Sequence, residues 1–124
     1  MAGKVIIVEG IIGAGKSLLT PELGKALGDG TLVLMEPDER GGLNPYLADF
    51  YKDTDRWALT MQMHLLSRRY RMHLQAQWHS MNTGGHAVMD RSFYGDTCFA
   101  RMMNRSGHIS DREFETYSLT YHAM

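Results

Sequence analysis

Near its amino terminus the chain reads Val5-Ile6-Ile7-Val8-Glu9-Gly10-Ile11-Ile12-Gly13-Ala14-Gly15-Lys16-Ser17. The stretch from Gly10 to Ser17 has the G-x-x-x-x-G-K-[ST] spacing of a phosphate-binding loop, and it follows four β-branched residues that predict a buried strand. Backbone N–H groups of such a loop surround phosphate oxygens, assisted by the positive end of the following helix. We expect all eight loop residues to bind a nucleoside triphosphate, with Lys16 at the outer phosphates and the Ser17 hydroxyl on Mg²⁺.

The composition indicates one small globular domain. The chain has 124 residues, of which 44% are hydrophobic and 22% charged, and its formal net charge is −1. This charge provides no general attraction to polyanions, so nucleic acid is not an expected partner. No apolar run reaches membrane-spanning length, and the first strand begins too early to leave room for a signal peptide. We therefore expect a cytoplasmic protein that does not associate with membranes.

Cysteine and histidine usage argues against a disulfide or a zinc site. The single cysteine, Cys98, cannot form an intrachain disulfide, and its apolar neighbours predict that it is buried. The six histidines form no H-E-x-x-H or comparable pairing. Zinc is therefore not expected.

Strands and helices alternate along the chain, which predicts an α/β fold with a parallel sheet covered on both faces. The predicted strands are 4–8, 32–35 and 86–89. The predicted helices are 15–27, one that begins at Asn44-Pro45 with Asn44 as its N-cap, 55–81, 93–104, and a last one that begins with a capping box of Ser110 and Glu113.

Apolar periodicity predicts which face of three helices is buried. In the first helix the inward residues are Leu18, Leu19, Leu23, Ala26 and Leu27. In the long helix they are Leu59, Met63, Leu66, Tyr70 and Leu74. In the last helix they are Phe114, Tyr117 and Tyr121.

Charged residues follow the second and third strands at the edge where parallel sheets bind ligands. Glu36 is either a solvated acid or a general base that orients a hydroxyl nucleophile. Asp90 and Arg91 form either a surface ion pair or a site in which Asp90 organises Mg²⁺ and Arg91 neutralises phosphoryl charge. Position alone leaves both alternatives open.

Gln62 and Arg69 lie seven residues apart on the long helix and project from nearly the same face. Exposure to solvent is the default for such a pair. The alternative is a cleft, where the Gln62 amide can donate and accept hydrogen bonds at the edge of a nucleobase.

Several motifs together resemble the deoxyribonucleoside kinases, in particular the bacterial and phage deoxyadenosine/deoxyguanosine kinase branch. The resemblance continues through Ile109-Ser110 to Tyr117, and so covers essentially the whole chain in consistent order. The matching stretches are Glu9-Gly10-x-Ile12-Gly13-Ala14-Gly15-Lys16-Ser17, Glu36-Pro37, Asn44-Pro45, Phe50-Tyr51-x-Asp53-x-x-Arg56-Trp57, Gln62-Met63, Ser67-Arg68-Arg69-Tyr70 and Asp90-Arg91-Ser92-x-Tyr94-x-Asp96.

The resemblance implies ATP- and Mg²⁺-dependent phosphorylation of the 5′-hydroxyl of a deoxyribonucleoside, on a P-loop NTPase-type three-layer sandwich. It assigns the role of general base to Glu36 and the binding of the 5′-oxygen and the phosphoryl group to Arg91. Lys16 would be a further catalytic residue. Ser17 and Asp90 would hold the metal.

The resemblance also assigns the acceptor side of the site. Tyr51 would bind the sugar 3′-hydroxyl, and Gln62 would bind the nucleobase. Arg69 and Asp96 resemble the pair that lets some members of the family accept purines or deoxycytidine. We therefore expect the substrate to be a purine deoxynucleoside, with deoxyadenosine as the preferred one. Relatives commonly dimerise through helices, which implies a homodimer.

Relatives continue with further helix, an arginine-rich lid and two more strands. We therefore expect residues 1–124 to be a single kinase domain cut short at its carboxyl end, with the strand at 5–8 at an open edge of the sheet. Two alternatives remain open at this point. One is a catalytically silent nucleotide-binding or assembly module, and the other is a P-loop kinase that acts on a nucleoside monophosphate.

Overall fold

A computed structural model describes residues 3–10, 16–35 and 44–124, with only the backbone of residues 16 and 17. The expectations for residues 11–15 and for Glu36 lie outside this part of the chain. In order, the elements are β1 (Val5–Val8), α1 (Lys16–Ala26), β2 (Leu32–Leu34), α2 (Leu47–Lys52), α3 (Thr54–Thr83), β3 (Ala87–Asp90), a 3₁₀ turn (Phe93–Gly95), α4 (Asp96–Arg105) and α5 (Asp111–Ala123). None of the helices in these described ranges is long and apolar enough to span a bilayer.

The chain forms two compact units. The first, called here the sheet unit, consists of Met1–Glu36 and Arg69–Ser92. The second, the helical unit, consists of Pro37–Arg68 and Phe93–Met124. The long helix α3 contributes its first half to the helical unit and its second half to the sheet unit.

The sheet unit contains a three-stranded sheet in the order β1-β3-β2, and both pairings are parallel. All four residues of the central strand β3 are buried, because it has a neighbouring strand on either side. Ala87 and Met89 pack with Ala76 of α3 in the core of this unit. The predicted parallel α/β arrangement is confirmed, and within the described residues β1 lies at one edge of the sheet.

The prediction for the buried face of α1 is wrong in part, since of the predicted residues only Leu23 and Leu27 are half-buried. Leu18, Leu19 and Ala26 are exposed, whereas Thr20 and Gly24 are buried. A β-carbon on Gly24 would lie 2.4 Å from Cγ2 of Val33, so this face of the helix lies too close to β2 for a bulky side chain. Small residues four positions apart therefore make the contact, whereas Leu18 and Leu19 lie on an exposed face.

The predicted apolar stripe of α3 is also wrong in part, since Leu74 is exposed and only Leu66 is fully buried. The buried residues follow helical spacing, but half of them are polar. A prediction from the apolar residues alone therefore gives a face that is rotated about the helix axis from the one that is buried. The buried positions of this helix are Ala58, Met61, Gln62, Leu66, Arg69, His73, Ala76 and Ser80.

The core of the helical unit is formed by Phe50, Ala58, Met61 and Ile109. The helix predicted to begin at Asn44-Pro45 begins later, at Leu47, and its N-cap residue makes no side-chain hydrogen bond. The Asn44 Oδ1 accepts a hydrogen bond from the Tyr46 N–H at 3.2 Å instead. Asn44 therefore forms a side-chain turn ahead of the helix and is not its cap.

The last two helices test two expectations from the sequence. The burial predicted for Cys98 is wrong, because Asp96 and Ala100 face inward and Cys98, two positions from each, lies on the opposite side of α4. The capping box of α5 is confirmed: the Ser110 N–H donates to Glu113 at 3.0 Å, and the Glu113 N–H donates to the Ser110 hydroxyl at 3.2 Å. These bonds lower the pKa of the Glu113 carboxyl.

Candidate active site

The carboxyl ends of β1 and β3 lie side by side. Val8 and Asp90 are partners in the parallel register, so the two residues that follow each strand emerge next to one another. Glu9 and Gly10, the first residue of the phosphate-binding motif, follow β1, and Arg91 and Ser92 follow the central strand. The motif predicted from sequence therefore starts at the ligand-binding edge of the sheet.

A carboxylate joins these two strand ends. Oε1 of Glu9 accepts hydrogen bonds from the Ser92 backbone N–H at 3.0 Å and from the Ser92 hydroxyl at 3.2 Å. Ser92 is buried, so water cannot substitute for the lost partner if Glu9 is removed. We call this pair of hydrogen bonds the Glu9–Ser92 brace.

Arg91 has a backbone conformation that is unusual for a residue with a side chain. Its φ is 66°, in the left-handed region, a conformation that costs about 1–3 kcal/mol and persists only where the surrounding structure imposes it. Here the Arg91 N–H donates to the Val8 carbonyl at 2.9 Å, and its guanidinium donates to the Gly10 carbonyl at 3.3 Å. The conformation therefore holds a buried positive charge against the first residue of the phosphate-binding motif.

Asp90 and Arg91 are both buried, so the interpretation as a surface ion pair is wrong. The Asp90 carboxylate ends the central strand, and its oxygens are the kind of ligand that Mg²⁺ prefers. The Ser17 hydroxyl would be a second ligand of the same chemistry, but the Ser17 side chain lies outside the described residues. Across the described ranges, no group of three or more His, Cys, Asp or Glu side chains could hold a metal ion by itself.

Gln62 and Arg69 are buried on α3, so the default of solvent exposure is wrong for both. Gln62 is only 2% exposed, and among the described residues its Oε1 has no hydrogen-bond partner. A buried acceptor without a partner destabilises the folded protein by about 1–3 kcal/mol, so folding alone does not explain why a glutamine stands at this position. Burial on the same helix also lowers the pKa of His73, because it disfavours the charged imidazolium.

Asp96 is fully buried at the start of α4, and the Tyr117 hydroxyl of α5 donates a hydrogen bond to its Oδ2. Nearby, the Tyr121 hydroxyl donates to the Tyr94 carbonyl at 3.4 Å, and the Tyr121 ring packs on Phe93. Burial raises the pKa of Tyr121, and the acidic groups around it, Asp96 among them, raise it further. Tyr121 is therefore a neutral hydroxyl.

Of the other site residues predicted from the sequence, some lie in the described part of the chain and some lie outside it. Tyr51, predicted to bind the sugar, is 72% exposed on α2. Glu36, residues 11–15 and the side chain of Lys16 lie outside the described residues. Their predicted roles stay predictions.

Three residues that make the contacts described above are not among those selected from the sequence as site residues: Glu9 and Ser92 of the sheet unit and Tyr117 of the helical unit. Glu9 carries a signal that could have identified it, since it is an acidic residue between an apolar strand and a phosphate-binding glycine. The partner of Tyr117 is 21 positions away, and periodicity gives no indication of it.

The sheet and its phosphate-binding motif define a nucleotide-binding α/β protein of the P-loop class. The family model described as deoxynucleoside kinase matches residues 6–124, which is nearly the whole chain. The chain therefore belongs to the deoxynucleoside kinase family, as the motifs predicted.

Curated relatives resemble the chain over most of its length. It is 39% identical over 117 residues to a deoxyadenosine kinase of Dictyostelium discoideum, which covers 94% of this chain and 44% of the relative. It is 40% identical over 122 residues to a deoxyadenosine/deoxycytidine kinase of Bacillus subtilis, which covers 98% of this chain and 52% of the relative. The chain thus spans about half the length of these relatives.

Solved structures agree in fold. A deoxyadenosine kinase from M. mycoides with bound dATP superposes with a TM-score of 0.75 at 29% identity, covering 95% of this chain and 56% of that one. The same kinase with dCMP and dCDP bound gives a TM-score of 0.78 at 28% identity, and the match covers 96% of this chain and 56% of that one. The P-loop α/β fold predicted from the sequence is confirmed.

Proposed function

We propose that this chain forms the phosphate- and nucleoside-binding part of a kinase that transfers the γ-phosphoryl group of ATP to the 5′-hydroxyl of a purine deoxyribonucleoside, with deoxyadenosine preferred. Membership of the deoxynucleoside kinase family supports the reaction class. The names of the relatives, which include deoxyadenosine and deoxyguanosine kinases, support the purine preference.

The observation that carries the proposal is the placement of Arg91. A cation held at the end of the central strand, against Gly10 of the phosphate-binding motif, is suited to neutralise charge that develops during phosphoryl transfer. It is held before any ligand arrives, so it costs no reorganisation during the reaction.

In the proposed reaction Glu36 accepts the proton of the 5′-hydroxyl as the hydroxyl oxygen attacks the γ-phosphorus. The bond between this phosphorus and the oxygen that bridges to the β-phosphate breaks, and ADP leaves. Lys16 and Arg91 neutralise the charge on the transferred group. The backbone N–H groups of residues 10–17 orient the donor.

Ser17 and Asp90 would hold Mg²⁺, in keeping with the oxygen chemistry described above. When bound, the ion neutralises charge on the β- and γ-phosphates.

The acceptor would be recognised by Gln62, Arg69 and Asp96 at the base and by Tyr51 at the sugar. The buried acceptor oxygen of Gln62 supports this assignment, since a nucleobase N–H would satisfy it. A carboxylate at Asp96 suits an exocyclic amino group, which is the feature that adenine, unlike thymine, presents.

We further propose that the protein is a cytoplasmic homodimer. One face of α3 exposes Leu74, Trp78 and Met81, which are spaced as a helical stripe, and Trp78 is 64% exposed. A second copy of the chain would cover this stripe. The single, exposed thiol of Cys98 is in keeping with a reducing compartment.

A coupled ADP-release assay with each of the four deoxynucleosides tests the reaction. Turnover with deoxyadenosine, and its loss in Lys16→Ala, is expected. ATP binding without turnover on any deoxynucleoside would overturn the proposal and favour a silent nucleotide-binding module. Turnover on deoxyadenosine monophosphate in place of deoxyadenosine would favour a monophosphate kinase.

A further inference from the structure

We propose that Glu9 is a positioning residue, whose carboxylate imposes the left-handed backbone conformation of Arg91 and thereby directs the Arg91 guanidinium at the phosphate-binding motif. The inference rests on the proposed function, which gives Arg91 its part in phosphoryl transfer. It adds a residue that acts through Arg91 and need not contact either substrate. All the residues involved belong to the sheet unit.

The backbone conformation of Arg91 needs a cause, because an arginine does not favour it. Within residues 3–10, 16–35 and 44–124, Arg91 is the only residue other than glycine with a positive φ. In this region the β-carbon of an L-residue lies too close to a carbonyl oxygen, so the chain leaves it when nothing holds it there. Contacts on either side of Arg91 must therefore impose the conformation.

The two peptide groups that flank the Arg91 α-carbon are both bound at the end of β1. The Arg91 N–H, in the first of these groups, donates to the Val8 carbonyl at 2.9 Å. The Ser92 N–H, in the second, donates to Oε1 of Glu9 at 3.0 Å. Because each peptide group is planar, φ and ψ of Arg91 describe how the two groups are turned relative to each other. Holding both groups on consecutive residues therefore restricts both angles.

Of these two contacts, the one to Glu9 depends on a particular side chain. The bond to Val8 continues the parallel pairing of β1 with β3, and any residue except proline at position 91 would make it. The bond to Glu9 uses a carboxylate, which is a stronger acceptor than a neutral group, and the same oxygen also accepts from the Ser92 hydroxyl at 3.2 Å. Glu9 is an exposed residue, so it contributes through this oxygen and not through packing.

The direction of the Arg91 side chain follows from this backbone conformation. The bond from the α-carbon to the β-carbon has a direction set by the two flanking peptide groups, so a change of φ from positive to negative turns the side chain away. In the observed conformation the guanidinium donates to the Gly10 carbonyl at 3.3 Å. The carboxylate of Glu9 thus sets the direction of a cation that meets the next residue along the chain.

The first test needs neither turnover nor a ligand. Arg91→Gly and Arg91→Ala both lack the guanidinium, and only glycine adopts a positive φ without strain, so their difference in stability reports the backbone conformation at this position. With Glu9 present, we expect the folding equilibrium constant of the glycine variant to be about fivefold larger, measured by urea denaturation. In a Glu9→Ala background we expect this advantage of glycine to vanish, because the backbone at position 91 is released.

Two further backgrounds serve as controls. Glu9→Gln retains an acceptor oxygen and should keep the advantage of glycine. Glu22→Ala removes another exposed carboxylate of the sheet unit, which pairs with Lys25 at 3.3 Å, and should keep it as well. If Glu9→Ala yields too little folded protein, Glu9→Asp takes its place, since a carboxylate one methylene shorter should reduce the advantage. An unchanged advantage in Glu9→Ala, or in Glu9→Asp where that variant is used, would overturn the inference.

The second test separates positioning from a general loss of stability. We expect Glu9→Ala to lower kcat for deoxyadenosine about 10- to 100-fold, because the guanidinium is displaced from the transferred group, and Glu9→Gln to recover most of this loss. In the Arg91→Ala background, Glu9→Ala should leave kcat unchanged while still lowering the free energy of unfolding. A fall in kcat by the same factor in both backgrounds would overturn the inference, because a purely structural role predicts that result.

The two tests distinguish failure of this inference from failure of the proposed function. Full kcat in Glu9→Ala together with an inactive Arg91→Ala would overturn the inference alone. Wild-type kcat in Arg91→Ala would overturn both, because Arg91 would then have no catalytic role to be positioned for. Absence of turnover on every deoxynucleoside would overturn the proposed function, and the comparison of glycine with alanine would still decide whether Glu9 sets the conformation of Arg91.

Discussion

The end of the sheet and the buried face of α3 both contain polar groups shielded from water, but they differ in how these groups are satisfied. At the sheet, Glu9 and Ser92 bind each other, and Arg91 binds the backbone of the phosphate-binding motif. On α3, Gln62 retains a buried oxygen for which the described residues provide no partner. The contacts of Glu9, Ser92 and Arg91 are made within the protein itself, whereas Gln62 has hydrogen-bonding capacity left for a ligand.

This difference separates two kinds of functional residue by their expected effect on stability. Removing a member of this cluster takes one hydrogen-bond partner away from a buried group, so stability and activity fall together. Removing an unsatisfied polar group costs the fold nothing, and only ligand binding falls.

Replacement of Arg91 by alanine is expected to give the largest loss of activity. We expect kcat to fall about 100- to 1,000-fold, because a preorganised positive charge at the transferred phosphoryl group is lost. The measurement is steady-state turnover of deoxyadenosine with saturating ATP.

Arg91→Gly is the matched control for the backbone at this position. Glycine adopts a φ of 66° without strain, so this variant should be about 1 kcal/mol more stable than Arg91→Ala in chemical denaturation, yet equally inactive. Activity near the wild-type level in either variant would contradict the role given to the guanidinium.

Glu9→Ala tests the Glu9–Ser92 brace. We expect the free energy of unfolding to fall by about 1–3 kcal/mol, because the Ser92 N–H and hydroxyl lose their acceptor in a buried position. Urea denaturation measures the change. Glu9→Gln keeps an acceptor oxygen and should lose clearly less, so an equal loss in the two variants would argue against the brace.

Gln62→Met should show the opposite behaviour. Methionine has a similar length and carries no buried polar group that needs a partner, so we expect unchanged or increased stability in the absence of ligand. We expect KM for deoxyadenosine to rise about tenfold, and KM for ATP to stay the same. A less stable protein with an unchanged KM would show that Gln62 is a structural residue.

Glu113→Gln, at the start of α5, is expected to give the smallest effect. Its pKa is lowered in the folded state, so the ionised carboxylate contributes stability that is present above pH 4.5 and is lost as pH falls through the folded-state pKa. Glutamine still accepts the Ser110 N–H but does not titrate. The stability difference between the wild type and this variant should therefore vanish in acid, and a constant difference would contradict the assignment.

Local patterns account for the parts of the fold that could be predicted. The three strands, the long helix and the Ser110–Glu113 capping box depend on residues close together in sequence, and each is found within a few residues of its predicted place. Errors arose where distant contacts decide burial. Gly24 approaches β2 because it has no side chain, so Leu18 and Leu19 lie outside, although periodicity favoured them as core residues.

The sequence by itself determined the class of protein, because the phosphate-binding motif and the order of strands and helices are written in contiguous residues. Only the tertiary structure decided that Gln62 and Arg69 are buried and that Asp96 is bound by Tyr117. The brace joins Glu9 to a residue 83 positions away. The physical reason is the same in each case: burial and hydrogen-bond partners of polar side chains are set by which segments fold against each other, and no local pattern encodes that.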